Sequence, residues 1–201
     1  MPKNKISAAI LAGGKSSRFL LGDKALARWN NKTIIETEIE ILKNIFERIF
    51  IISNHIDRYN KLGVDVFPDI YPSKGPLGGV HSALVNANSD RVFIVGCDMP
   101  LLNKDLICWM SNINTWAPII IPSLSKGLEP LHAIYHVSLI PIIETVISVP
   151  KKPMGLQALI KQLPFRAISE QEIKYFCTNL LCLKGINTTE ELKTLKKLLI
   201  K

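Results

Sequence analysis

Three runs in this chain, Ile6-Ser7-Ala8-Ala9-Ile10-Leu11, Ile49-Phe50-Ile51-Ile52 and Val92-Phe93-Ile94-Val95, are apolar at nearly every position rather than at alternate ones. A strand that is apolar on both sides must be covered on both sides. That is the condition of a parallel sheet packed between helices. Helical patterns fall between the runs. Thr33-Ile34-Ile35-Glu36 is a capping box that opens an amphipathic helix carrying Ile34, Ile35, Ile39, Leu42, Ile45 and Phe46. The class is therefore α/β, a mainly parallel sheet with helices on both faces.

The rest of the chain keeps the alternation. Val64-Asp65-Val66-Phe67 reads as a short strand stopped by Pro68, and residues 78–88 as a helix. Asn103 caps a helix bearing Leu106, Ile107 and Met110. Residues 119–121 and 133–135 are later strands, and residues 138–149 and 155–163 are helical, with Pro141 in a first turn. A second capping box in Asn187-Thr188-Thr189-Glu190-Glu191 opens the last helix. Residues 150–155 (Pro-Lys-Lys-Pro-Met-Gly) read as a loop. With 201 residues, 47% hydrophobic and 21% charged, the expectation is one well-buried domain over residues 1–201.

The formal net charge of +8 is spread along the chain, with no basic stripe interleaved with aromatics, so nucleic acid is not the expected partner. A small polyanionic substrate accounts for the sign more simply. The four cysteines (Cys97, Cys108, Cys177 and Cys182) lack metal-type spacing and read as free thiols of a reducing cytoplasm. The apolar run near Lys3 and Lys5 ends in Gly13-Gly14 and then charge, which suits a buried strand better than a signal peptide. Residues 106–125 carry no charge, but Ser111, Asn112, Asn114, Thr115, Pro118 and Pro122 exclude a membrane helix there.

In an open parallel sheet, ligands bind at the carboxyl ends of the strands. Those ends supply Ala12-Gly13-Gly14, Ser53-Asn54, Pro68-Asp69 and Cys97-Asp98-Met99-Pro100, with the glycine-rich turn Lys74-Gly75-Pro76-Leu77-Gly78-Gly79 between the last two. The first loop continues through Lys15-Ser16-Ser17-Arg18 to Asp23-Lys24, so glycines that admit an anion lie beside cations that attract one. It is neither a P-loop, since Ala9 stands where the first glycine belongs, nor a Gly-x-Gly-x-x-Gly fingerprint. Taken alone, its glycines serve an anion or only a close-packed turn. Asp98, ending a buried strand, suits an Mg²⁺ that also bridges phosphates. Lys24 and Arg18 suit the phosphate oxygens. Asn54 and Asp69 are donor and acceptor types for a base edge or ribose, and each is also a common turn residue. His55, His81, His132 and His136 read as structural.

These residues together resemble the molybdenum cofactor guanylyltransferases. The resemblance is carried by Leu11-Ala12-Gly13-Gly14-x-Ser16-x-Arg18, Asp23-Lys24-Ala25-Leu26, Ile51-Ile52-Ser53-Asn54, Pro68-Asp69, Gly75-Pro76-Leu77-Gly78-Gly79, Cys97-Asp98-Met99-Pro100 and Ile186-Asn187-Thr188. It implies a Rossmann-like nucleotidyltransferase fold, with a nucleotide half over roughly residues 1–100 and an acceptor half over roughly 101–201. It further implies a soluble cytoplasmic enzyme that joins GMP from GTP to the terminal phosphate of molybdopterin, with Mg²⁺ as cofactor. Leu11, Ala12, Gly13 and Gly14 would hold GTP through the backbone, and Lys24 and Arg18 would meet its phosphates. Asn54 and Asp69 would contact the nucleoside, and Asp98 would bind metal and nucleotide. Gly78, Gly79, Asn187 and residues 151–155 would face the acceptor. Transient contacts with other proteins of that pathway are compatible with it. Two features depart from the usual pattern: Phe19-Leu20-Leu21-Gly22 replaces Met-Gly after the arginine, and Gly185 replaces the first asparagine of Asn-Ile-Asn-Thr-Pro. CTP in place of GTP, a sugar phosphate acceptor, or nucleotide binding without chemistry are the alternatives left open.

Overall fold

Local chemistry sets the first helix. Thr33 accepts the Glu36 N–H through its hydroxyl while the Glu36 carboxylate accepts the Thr33 N–H, so both orphan donors are satisfied where the helix begins. The computed structural model describes residues 6–13, 23–149 and 154–199, with side chains to residue 196. The strands are β1 (Ile6–Leu11), β2 (Arg28–Trp29), β3 (Lys32–Thr33), β4 (Ile49–Ile52), β5 (Asp65–Phe67), β6 (Arg91–Gly96), β7 (Ile119–Leu124), β8 (Gly127–Leu128), β9 (His132–His136) and β10 (Arg166–Ser169). The helices are α1 (Ile34–Lys43), α2 (Ile56–Tyr59), α3 (Pro76–Asn86), α4 (Lys104–Ser111), α5 (Ile140–Ser148), α6 (Leu156–Ile160), α7 (Glu170–Lys174) and α8 (Thr189–Leu199).

One sheet runs in the order β10-β7-β9-β6-β1-β4-β5, with β8 hanging on β7. The pairs β1–β4, β1–β6, β4–β5 and β10–β7 are parallel, whereas β9 lies antiparallel to both β6 and β7. The sheet is thus mixed and mostly parallel. Its strands are apolar on both faces because two layers cover it. Ala8, Ile10, Ile51, Phe93 and Val95 face Ile35, Ile39 and Leu42 of α1 and Leu106, Ile107 and Met110 of α4. Ala9, Leu11, Phe50, Ile52, Val92 and Ile94 face Leu77, Val80 and Leu84 of α3 and Ile143 of α5. Neighbours in a strand alternate between the two cores, as the period of two demands. Ile51 is fully buried, and truncating it to alanine would cost roughly 2–5 kcal/mol. A third cluster ties Ile186, Leu192 and Leu195 to Ala27, Trp29 and Ile34, and so seats α8 behind the first hairpin.

Several boundaries differ from the sequence reading. Helix α3 starts at Pro76 rather than residue 78, because Gly75, at φ +58°, turns the chain and Pro76 supplies the preset first-turn φ. Helix α6 covers only Leu156–Ile160, with Gly155 extended as its N-cap. A short 3₁₀ turn, Val137–Leu139, precedes α5, whose first turn holds Pro141 as expected. Strand β10 and the capping box of α7, Ser169 with Glu172, were not anticipated. The loop read at residues 150–155 lies outside the described residues except for Met154 and Gly155. No helix among the described residues is long and apolar enough to cross a membrane.

Candidate active site

From β1 the chain moves outward to β4 and β5, then returns to β6 on the opposite side of β1. The connections that leave β1 and β6 at their carboxyl ends therefore run to opposite sides, and such a switch point is where these sheets open a crevice. At that point the Cys97 N–H donates to the Leu11 carbonyl at 3.3 Å, and the Ala12 N–H to the Ile52 carbonyl at 2.9 Å. Leu11 and Ala12 are buried, while Gly13 is exposed. A Cβ on Gly13 would meet nothing within 4 Å among the described residues. Gly14, Arg18 and the departure at residues 19–22 lie outside the described residues.

Lys24 reaches across the crevice to pair with Asp98, whose side chain is 14% exposed. Burial alone would lower the Lys24 ammonium, but the Asp98 carboxylate overrides it and the pKa is raised from its usual value. Lys24 therefore stays a cation. Its backbone is anchored by Asp23, which accepts the Ala25 N–H at 3.1 Å and so caps the turn Lys24–Leu26. Asp23 in turn accepts from the hydroxyl of the fully buried Tyr59 and from Arg58 Nη1 at 3.3 Å.

Asp98 is tightly framed. A Cβ on Gly96 would stand 2.9 Å from its Oδ1, and one on Gly185 would stand 3.2 Å from the same atom. Its carbonyl accepts the Ile186 N–H at 2.8 Å. Behind it lies Glu38, fully buried, whose Oε1 accepts the Met99 N–H at 2.8 Å. Glu38 Oε2 has no hydrogen-bond partner among the described residues. Burial pushes the Glu38 carboxyl well above the usual carboxylate range, the Met99 N–H opposes this, and the nearby Asp98 adds to it. Burial likewise pushes the Cys97 thiol up, which removes it as a nucleophile.

Asn54 and Asp69 sit together at the ends of β4 and β5. Asn54 donates from Nδ2 to Asp69 Oδ2 at 3.0 Å and accepts the Asp69 N–H through Oδ1 at 2.9 Å. Burial raises the Asp69 carboxyl above its usual value, and the Asn54 amide opposes the rise. Gly78 and Gly79 are buried. A Cβ would lie 2.7 Å from the Tyr71 carbonyl oxygen at Gly78 and 3.1 Å from Leu11 Cδ1 at Gly79, so their missing side chains let α3 pack against the rim. Asn187 is exposed, its N–H donating to Glu191 at 2.6 Å in the cap of α8.

The structure thus gathers Leu11, Ala12, Gly13, Lys24 and Asp98 at the crevice, with Gly185 and Ile186 against Asp98. Sequence reasoning missed Glu38, Tyr59, Arg58 and the contacts of Gly96 and Gly185. A glutamate inside the apolar stripe of α1 was a readable signal. The glycine contacts left none.

The MobA-like NTP transferase domain matches residues 8–167. The chain is 40% identical to a probable molybdenum cofactor guanylyltransferase of Clostridium perfringens (strain 13 / Type A), covering 96% of this chain and 97% of that one. It is 33% identical to the molybdenum cofactor guanylyltransferase of Syntrophotalea carbinolica, covering 92% and 88%. Among solved structures, molybdopterin-guanine dinucleotide biosynthesis protein A of Archaeoglobus fulgidus superposes with a TM-score of 0.80 at 20% identity, over 96% of this chain and 98% of that one. This last likeness concerns the fold.

Proposed function

Since the chain belongs to the MobA-like NTP transferase family, we propose that it transfers GMP from GTP to the terminal phosphate of molybdopterin and releases pyrophosphate. The observation that carries this reading is the Lys24–Asp98 pair, set at the carboxyl ends of β1 and β6 where their connections part. A cation and a carboxylate at one crevice, at the start of a glycine-rich loop, are parts that nucleotidyl transfer needs.

In the reaction, an oxygen of the molybdopterin phosphate forms a bond to the α-phosphorus of GTP as the bond to the β-phosphate oxygen breaks. A phosphate monoester has its second pKa near ~6, so the attacking oxygen is already anionic and no general base is required. The work of the protein is positioning and charge stabilisation. Lys24, kept charged by Asp98, meets the negative charge that builds on departing pyrophosphate, and Arg18 is assigned the same role. Gly13 and its neighbours admit phosphate oxygens to backbone N–H groups. Asn54 and Asp69 hold each other in place to contact the nucleoside, and Asn187 faces the acceptor side with Gly78 and Gly79.

The donor chemistry fits Mg²⁺. No group of three or more His, Cys, Asp or Glu side chains suited to a metal occurs among the described residues. A cation here would be held by Asp98 and by oxygens of the substrate and water, the usual pattern for Mg²⁺ in phosphoryl-transfer sites. When bound it supplies charge neutralisation at the α-phosphate.

The test is a melting panel with GTP, CTP, UTP and ATP in Mg²⁺, followed by chromatography of the product formed with molybdopterin. GTP should stabilise most and guanine dinucleotide product should appear. Asp98→Asn should reduce turnover by roughly 10²-fold or more with the fold intact. Stabilisation by CTP alone would overturn the guanylyl reading, and retained turnover with Mg²⁺ in Asp98→Asn would remove the metal role.

A further inference from the structure

On α1 the buried side chains Ile35, Ile39 and Leu42 face the sheet and Ile34 packs against Ile186, Leu192 and Leu195, and Glu38 is buried on the same helix, 0% exposed. A carboxyl there has a desolvation cost that an aliphatic side chain would avoid. What the carboxyl does is accept the N–H of Met99, 61 residues away in sequence. Met99 directly follows Asp98, so the donor belongs to the Asp98–Met99 peptide. The carbonyl of that same peptide accepts the Ile186 N–H at 2.8 Å. A peptide group is planar, so fixing both its ends fixes its rotation, and with it the direction in which the Asp98 side chain leaves the backbone.

We propose that Glu38 is a positioning residue for Asp98: with Ile186 opposite, it clamps the Asp98–Met99 peptide and sets the angle at which the carboxylate faces the crevice. The clamp matters to catalysis insofar as Asp98 meets nucleotide and metal, the reading given above. A misplacement of about 1 Å at such a group lowers rates by roughly 10²-fold. An acceptor that serves only to satisfy a buried N–H would have no such consequence.

Two variants separate the roles. Glu38→Gln keeps an acceptor oxygen for Met99, whereas Glu38→Leu fills the space without one. In the protein free of substrates, the Met99 amide should stay protected from hydrogen exchange in wild type and Glu38→Gln and lose protection by about tenfold or more in Glu38→Leu. The Asp98 carboxyl carbon resonance should move in Glu38→Leu alone. With GTP and molybdopterin, Glu38→Leu should lower kcat by roughly 10–100-fold with KM for GTP within about threefold, and Glu38→Gln should stay within about threefold of wild type in both. Wild-type kcat in Glu38→Leu, or an equal loss in Glu38→Gln, overturns the proposal. If Glu38→Leu fails to fold, Glu38→Met replaces it, and failure of both overturns the proposal by assigning the carboxyl to stability. Should wild type transfer no GMP, the functional reading falls, and the Met99 exchange rate and the Asp98 carboxyl resonance still decide whether Glu38 orients Asp98.

Discussion

Gly185 and Asp98 are in contact: a methyl group on the glycine would stand 3.2 Å from Oδ1 and 3.3 Å from Oδ2 of the carboxylate. The carboxylate leans into space that only a hydrogen atom leaves free. Gly185→Ala should push it aside, lowering kcat/KM for GTP by about tenfold, with little change in melting temperature. Kinetics and a melting curve on the same preparation check this. An unchanged kcat/KM would mean that Asp98 tolerates displacement.

Tyr59 bears on Lys24 at one remove. Its hydroxyl donates to Asp23, which caps the turn that Lys24 begins. Burial, and then the Asp23 carboxylate, push the phenol up, so it remains a donor. Tyr59→Phe should cost about 1–3 kcal/mol of stability and raise KM for GTP several-fold, with kcat less affected. Denaturant titration and steady-state kinetics measure the two effects separately.

Lys24→Met removes the cation and leaves Asp98 without its partner. KM for GTP should rise by roughly 10-fold or more, whereas guanosine, which has no phosphates, should bind as it does to wild type. Calorimetric titration with both ligands checks the contrast. Equal weakening of both would place Lys24 away from the phosphates.

His132 governs the acid limb of stability. The ring is fully buried, neither nitrogen has a partner among the described residues, and burial lowers its pKa to about 3. As pH falls below about 6.5 the unfolded chain takes up a proton that the native chain refuses. Stability should therefore drop across the window from 6.5 to about 3, by at most about 1.4 kcal/mol per pH unit from this group. His132→Leu should flatten that limb and change little above pH 7. Unfolding midpoints at a series of pH values test it, and parallel limbs for the two proteins would contradict it.

What the sequence disclosed were features written in neighbouring residues. The apolar runs at Ile49–Ile52 and Val92–Val95, the capping boxes at Thr33 and Thr188, and the Asn103 cap all depend on spacings of a few residues. Asp98, Lys24 and Gly13 were legible because strand ends converge on a rim. Strand β10 was not: it is a short edge strand, half-exposed and without an apolar run. Glu38 left a signal, a carboxylate inside an apolar helical stripe, but its partner Met99 did not, and the contacts of Gly96 and Gly185 with Asp98 exist only in the folded chain. Gly78 and Gly79, read in the sequence as facing a ligand, are also glycines that packing demands, against the Tyr71 carbonyl and the Leu11 side chain.

The frame around Asp98 is drawn from far along the chain: Lys24 lies 74 residues before it and Glu38 61 residues before Met99, while Ile186 closes it from the other side. Each such contact requires the intervening chain to be closed into a loop. A polypeptide that has not yet docked the segment around Ile186 lacks the finished crevice. On the function proposed above, GTP that binds this crevice stabilises the folded chain by mass action.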